Sequence, residues 1–409
     1  MKERVELISI DDIRKAEQAL HGRVLHTPLV HSPYFSKQID GEVFLKLENL
    51  QRTGSFKLRG ATHKIQSNLS RIGSQGVVAA SAGNHAQGVA LAAREAGIPA
   101  TIVMPEWASI TKQESTRAYG GQVLLKGQSI AECIDEALAL VETEMTFIHP
   151  YDDPETVAGQ GTIALEIFNK LPDPDLILVP IGGGGLIGGI ATAAKAIRPE
   201  TRVIGVQAAA CPSAYRSREL GQVVGVEAEK TIADGIAVKQ PGELTFQIIQ
   251  EKVDEILLVE EEEIGYAVLT LLEREKILAE GAGAVPVGAL INPSTAIPKG
   301  SKVVLVISGG NVDMPLLNRI LKKGLLRNGR MMKFAVNLED TPGSLAELLT
   351  LIAKLEANVL KIDHRRNEED LPIYVSRVEL ELETRGWEHL NEVAEGLRKS
   401  GYVIELKHG

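Results

Sequence analysis

Ser55-Phe56-Lys57-Leu58-Arg59-Gly60-Ala61 sets one lysine directly behind an aromatic residue and closes on a glycine and an alanine. Lys57 is the candidate nucleophile. Burial beside an aromatic strips hydration from an ammonium, lowers its pKa, and leaves a neutral amine able to condense with a carbonyl. The same residues also suit a lysine snorkelling from a helix start, with Arg59 as a second solvated charge. Three further segments tip the balance: Ser81-Ala82-Gly83-Asn84-His85, Gly182-Gly183-Gly184-Gly185, and Ser308-Gly309-Gly310-Asn311.

Around these segments the pattern alternates between short apolar runs and helical spacing. A first helix is predicted over 9–21 with Ser9 as its cap, a strand over 43–48, and a helix beyond Phe56. Strands follow at 76–80, 100–104, 122–125, 176–179, 203–207 and 303–307, with helices at 84–96, 110–119, 129–143, 155–170 and about 186–196. Strands alternating with helices imply parallel βαβ units. The glutamates at 260–263 read as a helix start, where the macrodipole favours negative charge.

Each motif falls at a junction where such a sheet binds ligands. The run Gly182–Gly185, with Leu186 after it, follows a buried strand and opens an apolar helix, so its unshielded N–H groups suit a phosphate dianion. A linker would not sit between such elements, and a dinucleotide site lacks its Gly-x-Gly-x-x-Gly after the first strand. Ser308 ends a strand, and the two glycines after it allow the backbone to close against a flat ring. Read alone, it is an ordinary Ser-Gly-Gly turn.

Together the four segments resemble the pyridoxal-phosphate enzymes of fold type II, and within them the threonine/serine dehydratases, over the whole chain. The resemblance implies an α/β fold with two open parallel-sheet lobes, the smaller (about 50–149) inserted in the larger, within a catalytic domain at 1–320. It implies that Lys57 holds the cofactor aldehyde and serves as the base, with Phe56 against the ring. Gly182, Gly183, Gly184, Gly185 and Leu186 would take the pyridoxal 5'-phosphate phosphate group, Asn84 the ring oxygen, and Ser308 the ring nitrogen. A hydroxyl partner leaves that nitrogen essentially unprotonated, which suits β-elimination. Ser81, Ala82, Gly83 and His85 would form the substrate loop, with Ser81 and backbone N–H groups on the carboxylate and His85 outside the catalytic set.

The implied reaction is deamination of L-threonine to 2-oxobutanoate, and of L-serine to pyruvate. Serine racemases of this fold carry a second serine where Ala82 stands here, and their acidic metal positions align with Gln207 and Ser213, so no divalent metal is expected there. The cysteine-synthase type of β-replacement enzyme usually shows Lys-Asp-Arg and Thr-Ser-Gly-Asn-Thr, where this chain has Leu58 and His85. A non-catalytic amino-acid sensor is the reading from another class, and the intact Lys57, Asn84, glycine run and Ser308 count against it.

Composition sets outer limits. The 409 residues are 44% apolar and 24% charged, enough for two or three folded domains. A net charge of −10 disfavours nucleic-acid or anionic-membrane partners. Residues 176–194 carry no charge over 19 positions, but seven are glycine or proline, too little apolar content for a membrane span. Two cysteines, Cys133 and Cys211, offer neither a disulfide framework nor a metal set, and residues 1–6 mix charges without the apolar core of a secretory signal, so a cytoplasmic location is expected.

Between Arg319 and Lys333 lie six basic residues and no acidic one, read as a linker at 321–331 or an interface strip. Beyond it, strands at 332–338, 358–364, 373–382 and 402–406 with helices to about 356 and at 387–400 give β-α-β-β-α-β, the ferredoxin-like order. The Asp340-Thr341-Pro342-Gly343-Ser344-Leu345 turn resembles the amino-acid-binding ACT domains. That resemblance implies an amino-acid or nucleotide effector held near Asp340, Gly343 and Asn358, and a homo-oligomer, dimer or tetramer.

Overall fold

A computed structural model describes residues 7–142, 144–366 and 371–407. The stretch at 1–6, read above for a secretory signal, lies outside them. The chain divides into two compact units, Met1–Val312 and Asp313–Gly409.

The first unit is built on two open sheets. Six strands lie in the order Leu29–His31, Glu42–Leu47, Lys302–Ile307, Leu176–Pro180, Arg202–Ala208 and Glu255–Val259. All neighbours are parallel except the first pair. The second sheet is parallel throughout, in the order Gln122–Leu125, Ala100–Met104, Val77–Ala80 and Thr146–Phe147. Its strands fall between the second and third larger-sheet strands in chain order, so the smaller lobe interrupts the larger. The runs at 176–180 and 303–307 are buried throughout, as expected of parallel strands covered on both faces.

Several elements escaped the pattern reading: the edge strand Leu29–His31, the helix Pro33–Ile39, and the stretch holding Glu243–Lys252, Glu255–Val259 and Gly281–Ile291. The helix at 261–270 ends in a π-turn over Leu271–Glu275 and leads into Glu280, the N-cap of Gly281–Ile291.

Helix Lys57–Asn68 crosses helix Pro154–Lys170 at very short range, because Gly60 faces Gly159: a Cβ on Gly159 would stand 2.8 Å from the Gly60 Cα. The approach carries Arg59 between two carboxylates, Glu166 at 2.6 Å and Glu48 at 2.8 Å. Lys46 also pairs with Glu166 and donates to the Thr27 carbonyl at 2.7 Å. All four ionic side chains are buried. Burial opposes charge at each, but Arg59 beside Glu48 still holds that carboxyl below its usual range, and the two carboxylates hold Arg59 above its own. At Lys46 burial prevails and its pKa falls.

The second unit opens with helix Met314–Arg327, so residues 321–331 are not the expected linker: they finish this helix and enter a strand at Met331. The basic residues lie largely on helical turns, where the 3.6-residue period hides among lysines. Strands Met331–Glu339, Asn358–Arg365, Val375–Glu383 and Ile404–Leu406 and helices Ser344–Lys354 and Trp387–Lys399 follow in β-α-β-β-α-β order. The sheet is antiparallel, with the second strand at one edge and the fourth at the other.

Removing one carboxylate from the buried cluster leaves Lys46 and Arg59 facing only Glu48. Glu166→Gln is therefore expected to destabilise the first unit by about 3–5 kcal/mol, read as a lower urea midpoint of the apoprotein. A loss below about 1 kcal/mol, the range of exposed pairs, would show that the cluster does not hold the crossing.

Candidate active site

Lys57 begins its helix, and the residue before it ties the lysine to the far end of the unit. The Phe56 N–H donates to the Ser308 carbonyl at 3.1 Å, and Ser55 bridges Gly309 in antiparallel fashion. The lysine motif and the Ser-Gly-Gly turn are thus neighbouring backbones. The Lys57 amine donates to the Pro150 carbonyl at 2.9 Å and stands 5.2 Å from the Phe56 ring centroid. Burial lowers its pKa to about 8, against the pull of the Glu280 charge.

Asn84 starts helix Asn84–Ala96 directly after the 81–83 loop. Its Nδ2 donates to Glu280 Oε1 at 2.7 Å, and its Oδ1 accepts from Asn311 Nδ2 at 2.7 Å. Glu280 is buried, and burial, with Asp234 adding to it, raises its pKa to about 7. A Cβ on Gly309 would stand 2.1 Å from Glu280 Oε1, so that glycine is required for the approach. Ser308 is buried at the end of Lys302–Ile307.

In the substrate loop, Ser81 Oγ accepts from the Gly83 N–H at 3.1 Å, and Gly83 caps the helix without a side chain; Ala82 stands half-buried between them. His85, grouped with the substrate loop but kept out of the catalytic set, turns its ring into the core. Its ring is buried with Nε2 on the Ile148 carbonyl at 2.8 Å, and burial, then the Lys57 charge, lowers its pKa to about 3. The neutral ring belongs to the core, so only the first-turn N–H of His85 is left to offer a substrate.

The glycine run caps helix Gly185–Ile197, with Gly184 in the left-handed region at φ +98°. A Cβ on Gly183 would stand 2.3 Å from the Tyr151 ring, and one on Gly182 3.1 Å from Ile236. Leu186 is buried in the first turn, whose N–H groups have no intrahelical acceptor and carry the positive end of the helix dipole. These residues fit pyridoxal 5'-phosphate: a loop that any side chain would fill, a buried amine of lowered pKa, and a serine at a strand end.

Pattern reading missed Pro150, Tyr151, Thr245 and Glu280, and quoted Asn311 without a role. Glu280 precedes a run of small residues with no sequence signal of chemistry. At the positions expected to be metal-free, Gln207 Oε1 accepts from the Tyr215 N–H at 2.9 Å and Ser213 donates to the Val238 carbonyl at 2.6 Å.

The residues expected to hold an effector do not meet within one module. Gly343 caps helix Ser344–Lys354 next to Asp340, which pairs with Arg366 at 3.1 Å. Asn358 pairs in register with Glu383, whereas Glu339, beside Asp340, pairs with Val375 at the other end of the same strand. The two places are roughly 26 Å apart at the usual rise per strand residue.

The sequence matches the family described as "Pyridoxal-phosphate dependent enzyme" over residues 21–309. It is 48% identical over 401 residues to an L-threonine ammonia-lyase of Thermotoga maritima, covering 98% of this chain and 100% of that one. The fold is similar to the crystal structure of a T.th. threonine deaminase, with a TM-score of 0.71, 40% identity, and coverage of 75% of this chain and 99% of that one. A maize serine racemase structure is similar at TM-score 0.74 and 34% identity, covering 79% and 99%. The buried lysine, glycine run and strand-end serine therefore lie in a chain that belongs to the pyridoxal-phosphate-dependent enzyme family, in its threonine ammonia-lyase branch.

Proposed function

We propose that this chain is a lyase that converts L-threonine to 2-oxobutanoate and ammonia, and L-serine to pyruvate and ammonia. The observation that carries the reading is the Lys57 amine: it is held on the Pro150 carbonyl with a pKa lowered to about 8, in a chain that belongs to the pyridoxal-phosphate-dependent enzyme family. When bound, the cofactor supplies the electron sink that makes the substrate Cα proton acidic.

The chain's own residues do the rest. The Lys57 amine, in its neutral form, would take the substrate Cα proton as a general base. Hydroxide leaves Cβ and departs as water, giving an enamine whose hydrolysis consumes one water and releases ammonia and the 2-oxoacid. Ser81 and the first-turn N–H groups at 84–86 orient the substrate carboxylate, and the Glu280–Asn84–Asn311 chain fixes which way the Asn84 amide faces. Ser308 offers a hydroxyl rather than a carboxylate to the ring nitrogen, and the glycine run takes the phosphate.

Racemisation is the second reading, because a solved serine racemase is among the similar structures. Ala82 supports elimination instead, since its methyl group cannot return a proton from the face opposite Lys57. We assign residues 1–312 as the catalytic part and 313–409 as a regulatory, ACT-like part of a cytoplasmic homo-oligomer. Among the described residues no helix is long and apolar enough to cross a membrane. The edge strand Asn358–Arg365 exposes Leu360 and Ile362. Antiparallel pairing of two such edges, in a dimer or within a tetramer, would bring the Asn358 of one copy toward the 340–343 turn of the other, uniting the effector residues that one module keeps apart.

Lys57→Ala is expected to lower kcat by at least 10²–10⁴-fold, roughly the worth of a general base, while far-UV circular dichroism stays that of the wild type. Near-normal turnover would end the assignment. For the wild-type apoprotein the sign follows from the lowered pKa: the neutral amine is scarce below pH 8. Capture of pyridoxal 5'-phosphate should thus rise about tenfold per pH unit up to about pH 8 and level off above it.

A chain ending at Val312 should keep turnover and lose any response to isoleucine, valine or AMP, where coupling of the usual size shifts apparent affinity about 5–150-fold. If the full chain and the truncated form show identical kinetics with each effector, the second unit only assembles subunits.

A further inference from the structure

Helix Glu243–Lys252 begins at Gly242, an N-cap with no side chain for its first-turn N–H groups. Asp152 takes that place from another part of the chain. Its Oδ2 accepts from the Glu243 N–H and its Oδ1 from the Thr245 N–H, both at 3.1 Å. A Cβ on Gly242 would stand 2.1 Å from Asp152 Oδ1, so the glycine is what admits the carboxylate. Charge-assisted bonds at a helix N-terminus are the strong kind, favoured by the dipole.

The capped turn in turn grips the glycine run. Thr245, fully buried, donates its hydroxyl to the Gly183 carbonyl at 2.6 Å, and the Gly242 N–H donates to the same oxygen at 3.3 Å. A Cβ on Gly184 would meet Thr245 Oγ1 at 2.8 Å. In a planar trans peptide the C=O and the following N–H point in opposite directions. Holding the Gly183 carbonyl on Thr245 therefore turns the Gly184 N–H to the other side of the loop. From the segment that contains Asp152, Tyr151 packs on Gly183 and Pro150 accepts from Lys57, so one stretch reaches the amine, the loop and the helix behind the loop.

We propose that Asp152 and Thr245 are positioning residues that act in series to hold the Gly183–Gly184 peptide in its phosphate-binding orientation. The inference rests on the reading of Gly182–Gly185 as the phosphate cradle. Neither residue needs to touch the cofactor: Asp152 sets the helix turn, the turn sets the Thr245 hydroxyl, and the hydroxyl sets the peptide.

The test uses full-length apoprotein of wild type, Thr245→Val, Thr245→Ser, Asp152→Asn and the Thr245→Val/Asp152→Asn double variant. Each is titrated with pyridoxal 5'-phosphate and separately with pyridoxal, followed by absorbance as the amine reacts, and melted to check folding. Thr245→Val and Asp152→Asn should each weaken pyridoxal 5'-phosphate binding about 10-fold, the usual worth of a buried hydrogen bond, and leave pyridoxal binding unchanged. Thr245→Ser, which keeps the hydroxyl, should bind as the wild type does, and the double variant should lose no more than the larger single loss, because the two act in one chain. Asp152→Asn keeps one acceptor oxygen and carries the test if Thr245→Val does not fold.

Wild-type affinity for pyridoxal 5'-phosphate in both single variants overturns the proposal, as does a parallel loss for pyridoxal, which would mean general damage. If Gly184→Val loses the phosphate form selectively while Thr245→Val does not, the cradle stands and the positioning chain falls. Equal affinity of the wild type for pyridoxal and its phosphate would instead remove the cradle reading itself.

Discussion

A guanidinium buried away from water must meet carboxylates in fixed places, and Arg59 meets two that come from different parts of the chain. Glu48 follows the strand Glu42–Leu47 of the larger sheet, and Glu166 lies on Pro154–Lys170, the helix that follows the smaller lobe. Arg59 itself lies two residues beyond Lys57 on the same helix, roughly 200° around its axis and so on the opposite face. The ion cluster thus fixes, from behind, the helix whose first residue is Lys57. An uncompensated charge there is costly, so the helix cannot slide or rotate without breaking the match. The Gly60–Gly159 contact sets the distance and Arg59 sets the register.

The rest of the site follows by backbone contact. Phe56 on Ser308, Ser55 on Gly309, the Lys57 amine on Pro150 and the Thr245 hydroxyl on Gly183 join five segments distant in sequence, each contact using a backbone group on at least one side. The first two contacts are independent of side-chain identity and the last two need the Lys57 amine and the Thr245 hydroxyl, while the glycines beside them set how closely the backbones approach. At Gly309 and Gly183 a single methyl group would collide with Glu280 and with Tyr151, respectively.

Most of the layout was legible because the parallel strands are short apolar runs bounded by turns and their helices keep a clear period. The helix 84–96 and the strands 100–104 and 122–125 were read at their observed bounds. Gly281–Ile291 was not, for a physical reason. It is buried on nearly every side and contains Pro286, so no polar face marks the period and the proline reads as a break. Met314–Arg327 was hidden in the opposite way, by lysines and arginines that suggested a solvated linker. The lysine proposed as the base, the glycine run and the strand-end serine were visible as motifs; Glu280, Tyr151 and Thr245 were not, because their contacts come from packing that only the fold creates. The residues expected to hold an effector show what spacing in sequence hides. Asp340 and Asn358 lie one helix apart in sequence, and sheet register puts them at opposite ends of one strand.

The shifted pKa values of Lys57 and Glu280 act against the stability of the fold. Burial lowers the Lys57 pKa from 10.5 to about 8, so the unfolded chain binds that proton more tightly and the folded state loses stability below pH 10.5, fully so below about pH 8. Burial raises Glu280 from 4.5 to about 7, so the folded state holds that proton more tightly; stability is lost as pH rises through 4.5 and the full cost is reached above about pH 7. Near neutrality the two penalties act together, even though the attraction between the two groups already tempers each shift. Arg59 and Glu48, shifted the other way a few residues off, keep their charges at the same pH. The molecule places a charge-satisfied cluster directly behind a charge-frustrated one. That pairing lets the amine stay poorly solvated and close to its neutral form while the helix carrying it stays where the chemistry needs it.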